Sequence, residues 1–188
     1  MKIVEVKLES AGPYSQSRMH DAPKLDREGH DDYERRTWRE KCTTDDNGVI
    51  CIPSMALKQM LDSSAKLLGI QIPGKGKNTY TKHFKAGVIC QNDVSIGIHK
   101  DDVKSITINA NADGVRGSGK RVKRTFPLIP EWSGVAQFAI FDDTITKEVF
   151  ERHLKEAGRF VGIGRFRPEN GGFNGRFEAK DFRWSELK

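Results

Sequence analysis

The residues whose types and spacing point to chemistry lie in the segment Gly162-Ile-Gly-Arg-Phe-Arg-Pro-Glu-Asn-Gly-Gly-Phe-Asn-Gly-Arg-Phe177, which holds five glycines, three arginines and three phenylalanines. Glycine lets main-chain N–H groups approach an anion closely and reach positive φ. Arginine adds a permanent charge on a planar fork that matches phosphate. Gly162, Gly164, Arg165, Arg167 and Arg176 are therefore candidate phosphate-holding residues. The competing reading is a turn joining the last helix to the last strand.

Two more segments carry cations without acids. Residues 74–85 hold Lys75, Lys77, Lys82 and Lys85, and residues 116–124 hold Arg116, Lys120, Arg121, Lys123 and Arg124. Net charge is +6 with a pI near 9.2, whereas residues 15–47 are mixed in sign. Three acid-poor basic segments interleaved with glycine or aromatic residues point to a polyanionic partner, single-stranded RNA or DNA. Tyr14, Tyr80 and Phe166 are candidates for stacking on bases.

Other chemistries fail on spacing. Gly162-Ile-Gly164 has Arg167 where a dinucleotide site needs its third glycine, and it follows a helical pattern instead of opening one. Gly74-Lys-Gly-Lys-Asn78 lacks the Ser/Thr that must follow the lysine of a P-loop. The histidines and the three cysteines, Cys42, Cys51 and Cys90, have no zinc-ligand spacing, so neither a metal nor a cofactor is expected. Odd and unpaired, the cysteines read as reduced residues of a cytoplasmic protein. His153 falls on an apolar helical stripe and reads as a packing residue.

The elements that must position these residues follow from periodicity. Lys2–Ser10 alternates apolar and charged residues, which predicts a strand and not a signal peptide, and no apolar window reaches membrane-spanning length. A long loop covers residues 11–45, with a short helix possible at Asp31–Lys41. Val49–Ile52 is a short strand stopped by Pro53. Ser54 then caps a helix with Leu57, Met60, Leu61, Ser64 and Leu68 on one face and Gly69 at its end. Residues 86–90 and 94–98 read as strands about a turn, and residues 104–130 as a hairpin with a basic tip that projects from the domain. Gly134–Phe141 is a strand, Thr146 caps a second helix, and Asn174–Trp184 is the last strand. The order predicts one α+β domain over residues 1–188, with a ferredoxin-like, RRM-like βαββαβ core, the long early loop, the inserted hairpin and the glycine-arginine loop at 159–177.

Together with this element order, the stretch Asp46-Asn-Gly-Val-Ile-Cys-Ile52-Pro53-Ser54-Met-Ala-Leu57-Lys58 and the glycine-rich Gly162–Arg176 segment resemble the RAMP superfamily of CRISPR effector proteins, closest to the backbone subunit that coats guide RNA. The family motif usually reads Ile-Pro-Gly-Ser-Ser-Leu-Lys-Gly, so this chain departs from it at the glycine and at Met55-Ala56. The resemblance implies sequence-independent binding of single-stranded nucleic acid without catalysis and self-association along the strand or in a multi-subunit complex. Lys58 joins the phosphate-contacting residues, and the insertions at 11–45 and 104–130 correspond to the family's finger-like and thumb-like ones. The resemblance equally admits a phage-borne or mobile-element relative, and less readily a decoy that mimics the backbone subunit. One branch cleaves target RNA with an aspartate, another processes guide precursors with a histidine, and both place the residue in the early loop. Here Asp21, Asp26, Asp31, Asp32, His20 and His30 occupy that loop, so an endoribonuclease with its site in residues 15–40 is the alternative, and no residue is assigned as catalytic.

Overall fold

The computed structural model describes residues 1–112, 117 and 119–186. Its largest sheet is built on β1 (Lys2–Ser10), whose Val4, Val6 and Leu8 are fully buried. β1 lies antiparallel between β7 (Ser133–Ile140) and β8 (Phe177–Glu186), and β3 (Val88–Cys90) extends the sheet on β7, giving the order β3-β7-β1-β8. Two helices cover it, α2 (Ser54–Leu68) and α4 (Lys147–Glu156). Phe150 of α4 meets Phe138 of β7 at 5.3 Å and Trp184 of β8 at 5.7 Å between ring centroids. Burying each phenylalanine contributes roughly 1.5–3 kcal/mol. The architecture is α+β, and among the described residues no helix is long and apolar enough to cross a membrane.

The helix ends show which sequence signals operate. Gly69 closes α2 in the left-handed region at φ +54°, and the Thr146 hydroxyl accepts from Val149 N at the start of α4. At the start of α2, however, Ser54 makes no side-chain cap. Asp93 instead accepts from Ser54 N at 2.7 Å. A further helix, α3 (Thr81–Gly87), occupies the second half of the segment read as a basic run.

The two strands expected about residues 91–93 go to different sheets. β3 joins the main sheet, while β4 (Val94–His99) pairs with β2 (Val49–Ile52) in a sheet of two strands. Asn92 makes the divergence possible, because its side chain accepts from Gln137 N and donates to Val135 O, standing in for a backbone ladder partner.

The hairpin β5 (Lys104–Asn111) and β6 (Arg121–Leu128) forms in the register Ile108 to Arg124, but it does not stand free. Thr125, Phe126 and Pro127 are buried where β6 meets α1 (His30–Thr37) and the 3₁₀ turn Trp38–Lys41. Glu34 is the reason. One carboxylate oxygen accepts from Lys41 Nζ at 2.6 Å and Thr125 N at 2.9 Å, the other from Arg124 at 3.1 Å, and Lys41 also donates to Thr125 O at 2.7 Å. Glu34 is 2% exposed, so its charge is tolerable only with these partners. The early loop is likewise tied down. Buried Gln16 donates to Cys51 O and accepts from Thr43 N, and Tyr14 bridges to Ile129.

Burial alone would raise the Glu34 carboxyl, but Lys41, Thr125 N–H and Arg124 outweigh it and hold the pKa below the usual value. A depressed carboxyl stabilises the fold above its unfolded pKa of about 4.3, and that contribution is lost as pH falls through the lower folded value. Glu34→Ala, which strands Lys41 in the interior, should cost about 3–5 kcal/mol in urea titrations at pH 7. The gap between wild type and variant should narrow on acidification below pH of about 4.

Candidate nucleic-acid interface

The glycine-arginine segment begins where α4 runs into the π-helical turn Ala157–Val161 and ends where β8 starts. Between them the chain doubles back on itself. Ile163 N donates to Gly175 O and Asn174 N to Phe166 O, so residues 162–166 and 172–176 form two arms. The early loop threads against both, with Pro13 O accepting from Gly175 N at 2.7 Å and Ser15 O from Arg165 N at 2.8 Å. The N–H groups of Gly162, Gly171 and Gly172 also donate to carbonyls of this same segment or turn.

These glycines permit close packing. At Gly175 (φ +78°) an added Cβ would stand 1.8 Å from Ile163 O, and at Gly172 it would stand 1.8 Å from Phe166 O. Such positions exclude every other residue. Because so much of the backbone is engaged internally, any anion meeting this segment meets chiefly its side chains.

On one side of the arms lies a cleft of about 580 Å³ between the early loop, the start of α1, the hairpin and Arg165. Arg18, Lys41, Arg124 and Arg165 line it against the carboxylate of Glu34, with His20, stacked on Tyr33, at its edge. Of these four cations, Arg165 is the one both half-buried and without a carboxylate partner among the described residues, since Arg18 is exposed. The Arg165 guanidinium sits 3.5 Å from the Phe126 ring centroid and 4.1 Å from that of Phe166. Burial first, and then the nearby charge of Arg124, pull its pKa down to about 10. It remains cationic at neutral pH, in contact with both rings.

The structure sorts the candidates from sequence. Arg124 and Arg165 come together in the cleft. Lys58 is engaged by Asp62 and Phe84 O, and Arg167 by Glu169 at 2.8 Å. Lys123 faces Asp31 at 3.8 Å, while its carbonyl accepts from His30 Nε2. Lys120 and Arg121 are exposed at the distal end of the hairpin, Arg116 lies outside the described residues, and Lys75 and Lys77 are exposed on the loop joining α2 to α3. Arg176 donates to the carbonyls of Arg159 and Phe173 on the opposite side of the arms. Gly162 and Gly164 are packing positions, against Pro168 and against Tyr14 and Ser15. Of the proposed stacking aromatics, Tyr14 and Tyr80 are corrected to core residues, 2% and 4% exposed, and only Phe166, at 45%, is open. Asp32 pairs with Arg35. His153 is buried against Phe84, and burial lowers its pKa. Lys41, Arg18 and Phe126 were not legible as site residues in the sequence, because they lie far apart along the chain and only the fold assembles them.

No family model and no curated protein sequence matches the chain. Solved structures do. A chain from the cryo-EM structure of the Type III-B Cmr-beta bound to cognate target RNA superposes with a TM-score of 0.57 at 13% identity, over 97% of this chain. This chain spans 60% of the length of that one. The crystal structure of Cmr6 from Pyrococcus furiosus superposes with a TM-score of 0.50 at 12% identity, covering 95% of this chain and 98% of the other. The chain shares its fold with these two structures. At these identities the likeness extends to the fold alone, and the cleft is argued from this chain's own residues.

The packing role of the glycines is checkable by contrast. Gly175→Ala, with both positive φ and an occupied Cβ position, should lower stability by at least about 2 kcal/mol. Gly171→Ala has a similar φ of +75° but open space around it, and should cost only about 1 kcal/mol in the same thermal-melt assay.

Proposed function

We propose that this chain binds single-stranded nucleic acid, RNA or DNA, without sequence preference, in the cleft between the early loop, the base of the hairpin and the glycine-arginine arms. The observation that carries the reading is Arg165, a half-buried guanidinium clamped between Phe126 and Phe166 with no carboxylate partner. A phosphate supplies the missing charge, and the exposed face of Phe166 supplies a stacking surface that accepts any base. Arg18, Lys41 and Arg124 add positive potential, while Glu34 fixes the latter two in place. The hairpin-tip cations Lys120 and Arg121 extend the charged surface.

The fold supports the same reading. We take the order β8-β1-β7-β3, with α2 before β3 and α4 before β8, as a ferredoxin-like βαββαβ core into which the early loop and the hairpin are inserted. A structure sharing this fold is that of an assembly bound to target RNA. We therefore place the chain as a non-catalytic, RAMP-type module of a CRISPR-like complex that self-associates along its strand. One observation favours the alternative of an endoribonuclease, namely that His20 lines the cationic cleft, where a general base would stand beside charge-stabilising side chains.

Fluorescence anisotropy with labelled oligouridylate and oligothymidylate should show both binding wild type, with affinity falling as salt rises. Arg165→Gln should weaken both by about 1.5–3 kcal/mol. Its melting temperature should fall by only a few degrees, because the ring contacts, worth about 0.5–2 kcal/mol, are lost but no ion pair among the described residues is. Incubation of wild type and His20→Ala with labelled RNA separates the two readings. Retention without scission by either protein is the expected result, and scission that disappears in His20→Ala establishes the nuclease instead.

A further inference from the structure

Beyond the cleft, the other side of the glycine-arginine arms is also a binding surface. A groove of about 670 Å³ runs between the end of α4 with its π-helical turn and the start of β8. Its lining is apolar at Ala11, Phe177 and Ala179 and carries four cations, Lys155, Arg159, Arg176 and Lys180, against two acids, Glu156 and Glu178, beside Phe160, which is 51% exposed. Arg176 contacts only carbonyl oxygens and no carboxylate among the described residues. Lys155 and Arg159 make exposed pairs at 3.7 and 3.6 Å with Glu151 and Glu156, and Lys180 is held by Glu9 and Glu178. Exposed pairs of this kind contribute little and are readily exchanged for another anion.

Groove and cleft are two sides of one structure. The first arm faces the cleft with Arg165, the second faces the groove with Arg176, and residues 13–15 are hydrogen-bonded to both. Phe166 and Phe173, one on each arm, are 45% and 65% exposed, and Asn174 N donates to Phe166 O between the arms.

We infer that the groove is a second subsite for the same nucleic-acid strand, which leaves the cleft, crosses the tip over Phe166 and Phe173, and sets further phosphates against Arg176, Arg159 and Lys155. This rests on the single-strand reading of the cleft. The arms act as a saddle, and the strand's footprint is longer than the cleft alone can hold. The alternating supply of aromatic faces and cations favours a nucleic-acid strand over an acidic peptide.

Probe length tests it. Wild type, Arg165→Gln and the triple variant Lys155→Ala/Arg159→Ala/Arg176→Ala are titrated by anisotropy with oligouridylates of about four and about twelve nucleotides. The triple variant should lose about tenfold or more on the longer probe, stay within about twofold on the shorter, and show a salt slope shallower by about 0.7 per lost phosphate contact. Since Arg176 also bonds Arg159 O, a second readout uses wild type alone: acetylation of Lys155, followed by mass spectrometry, should be blocked by the longer probe and not by the shorter. Equal losses on both probes, no loss on either, or no protection of Lys155 would overturn the groove. If the groove fails alone, the longer probe still responds to Arg165→Gln. If neither probe binds wild type, the reading of the cleft fails with it.

Discussion

A carboxylate buried at 2% exposure holds the functional half of this molecule together. Glu34 belongs to a helix that is otherwise polar and short, and without a buried anchor such a helix is marginal in water. By accepting from Lys41, Arg124 and Thr125 N–H, it docks the early loop on the hairpin and fixes two cations at the wall of the cleft. The desolvation of that carboxylate is offset only when every partner is present, so the site forms with the fold or not at all. The hairpin's lack of freedom, the shape of the cleft and the position of Phe126 under Arg165 all follow from this constraint.

The glycine-arginine segment divides its labour by atom type. Its backbone is engaged in holding the two arms to each other and to residues 13–15, and its glycines are required by contacts with carbonyl oxygens closer than any Cβ permits. What it offers outward is side chains, with Arg165 at the cleft, Arg176 at the groove, and Phe166 and Phe173 exposed between them in sequence. A rigid scaffold carrying stacked cations suits a ligand whose charge repeats regularly and whose bases need only be flat.

Much of this was legible in the sequence, and the parts that were not share a cause. β1, α2 and α4 declared themselves through periodicity, and Gly69 and Thr146 through local capping chemistry. α3 was hidden because seven residues show too little period, and its basic residues suggested a charged run instead. The parting of β3 and β4 depends on Asn92 bonding to residues more than forty positions away, which no local signal encodes. The same holds for the site. Arg165 was visible because it sits among glycines, but its stacking on Phe126 and the convergence of Arg18 and Lys41 are tertiary facts. Conversely, Lys58 and Arg167 look free in sequence and are paired in the fold with Asp62 and Glu169.

The central claim is that one strand lies in the cleft against Arg165 and Phe166. Ultraviolet crosslinking of wild type to a uridine homopolymer, followed by nuclease trimming and peptide mass spectrometry, locates the contact directly on the chain. The account predicts crosslinked nucleotides on Phe166 and on the peptide spanning Arg18 to His20. Crosslinks confined to residues 70–85, or no crosslink under conditions where the protein is folded, would contradict it.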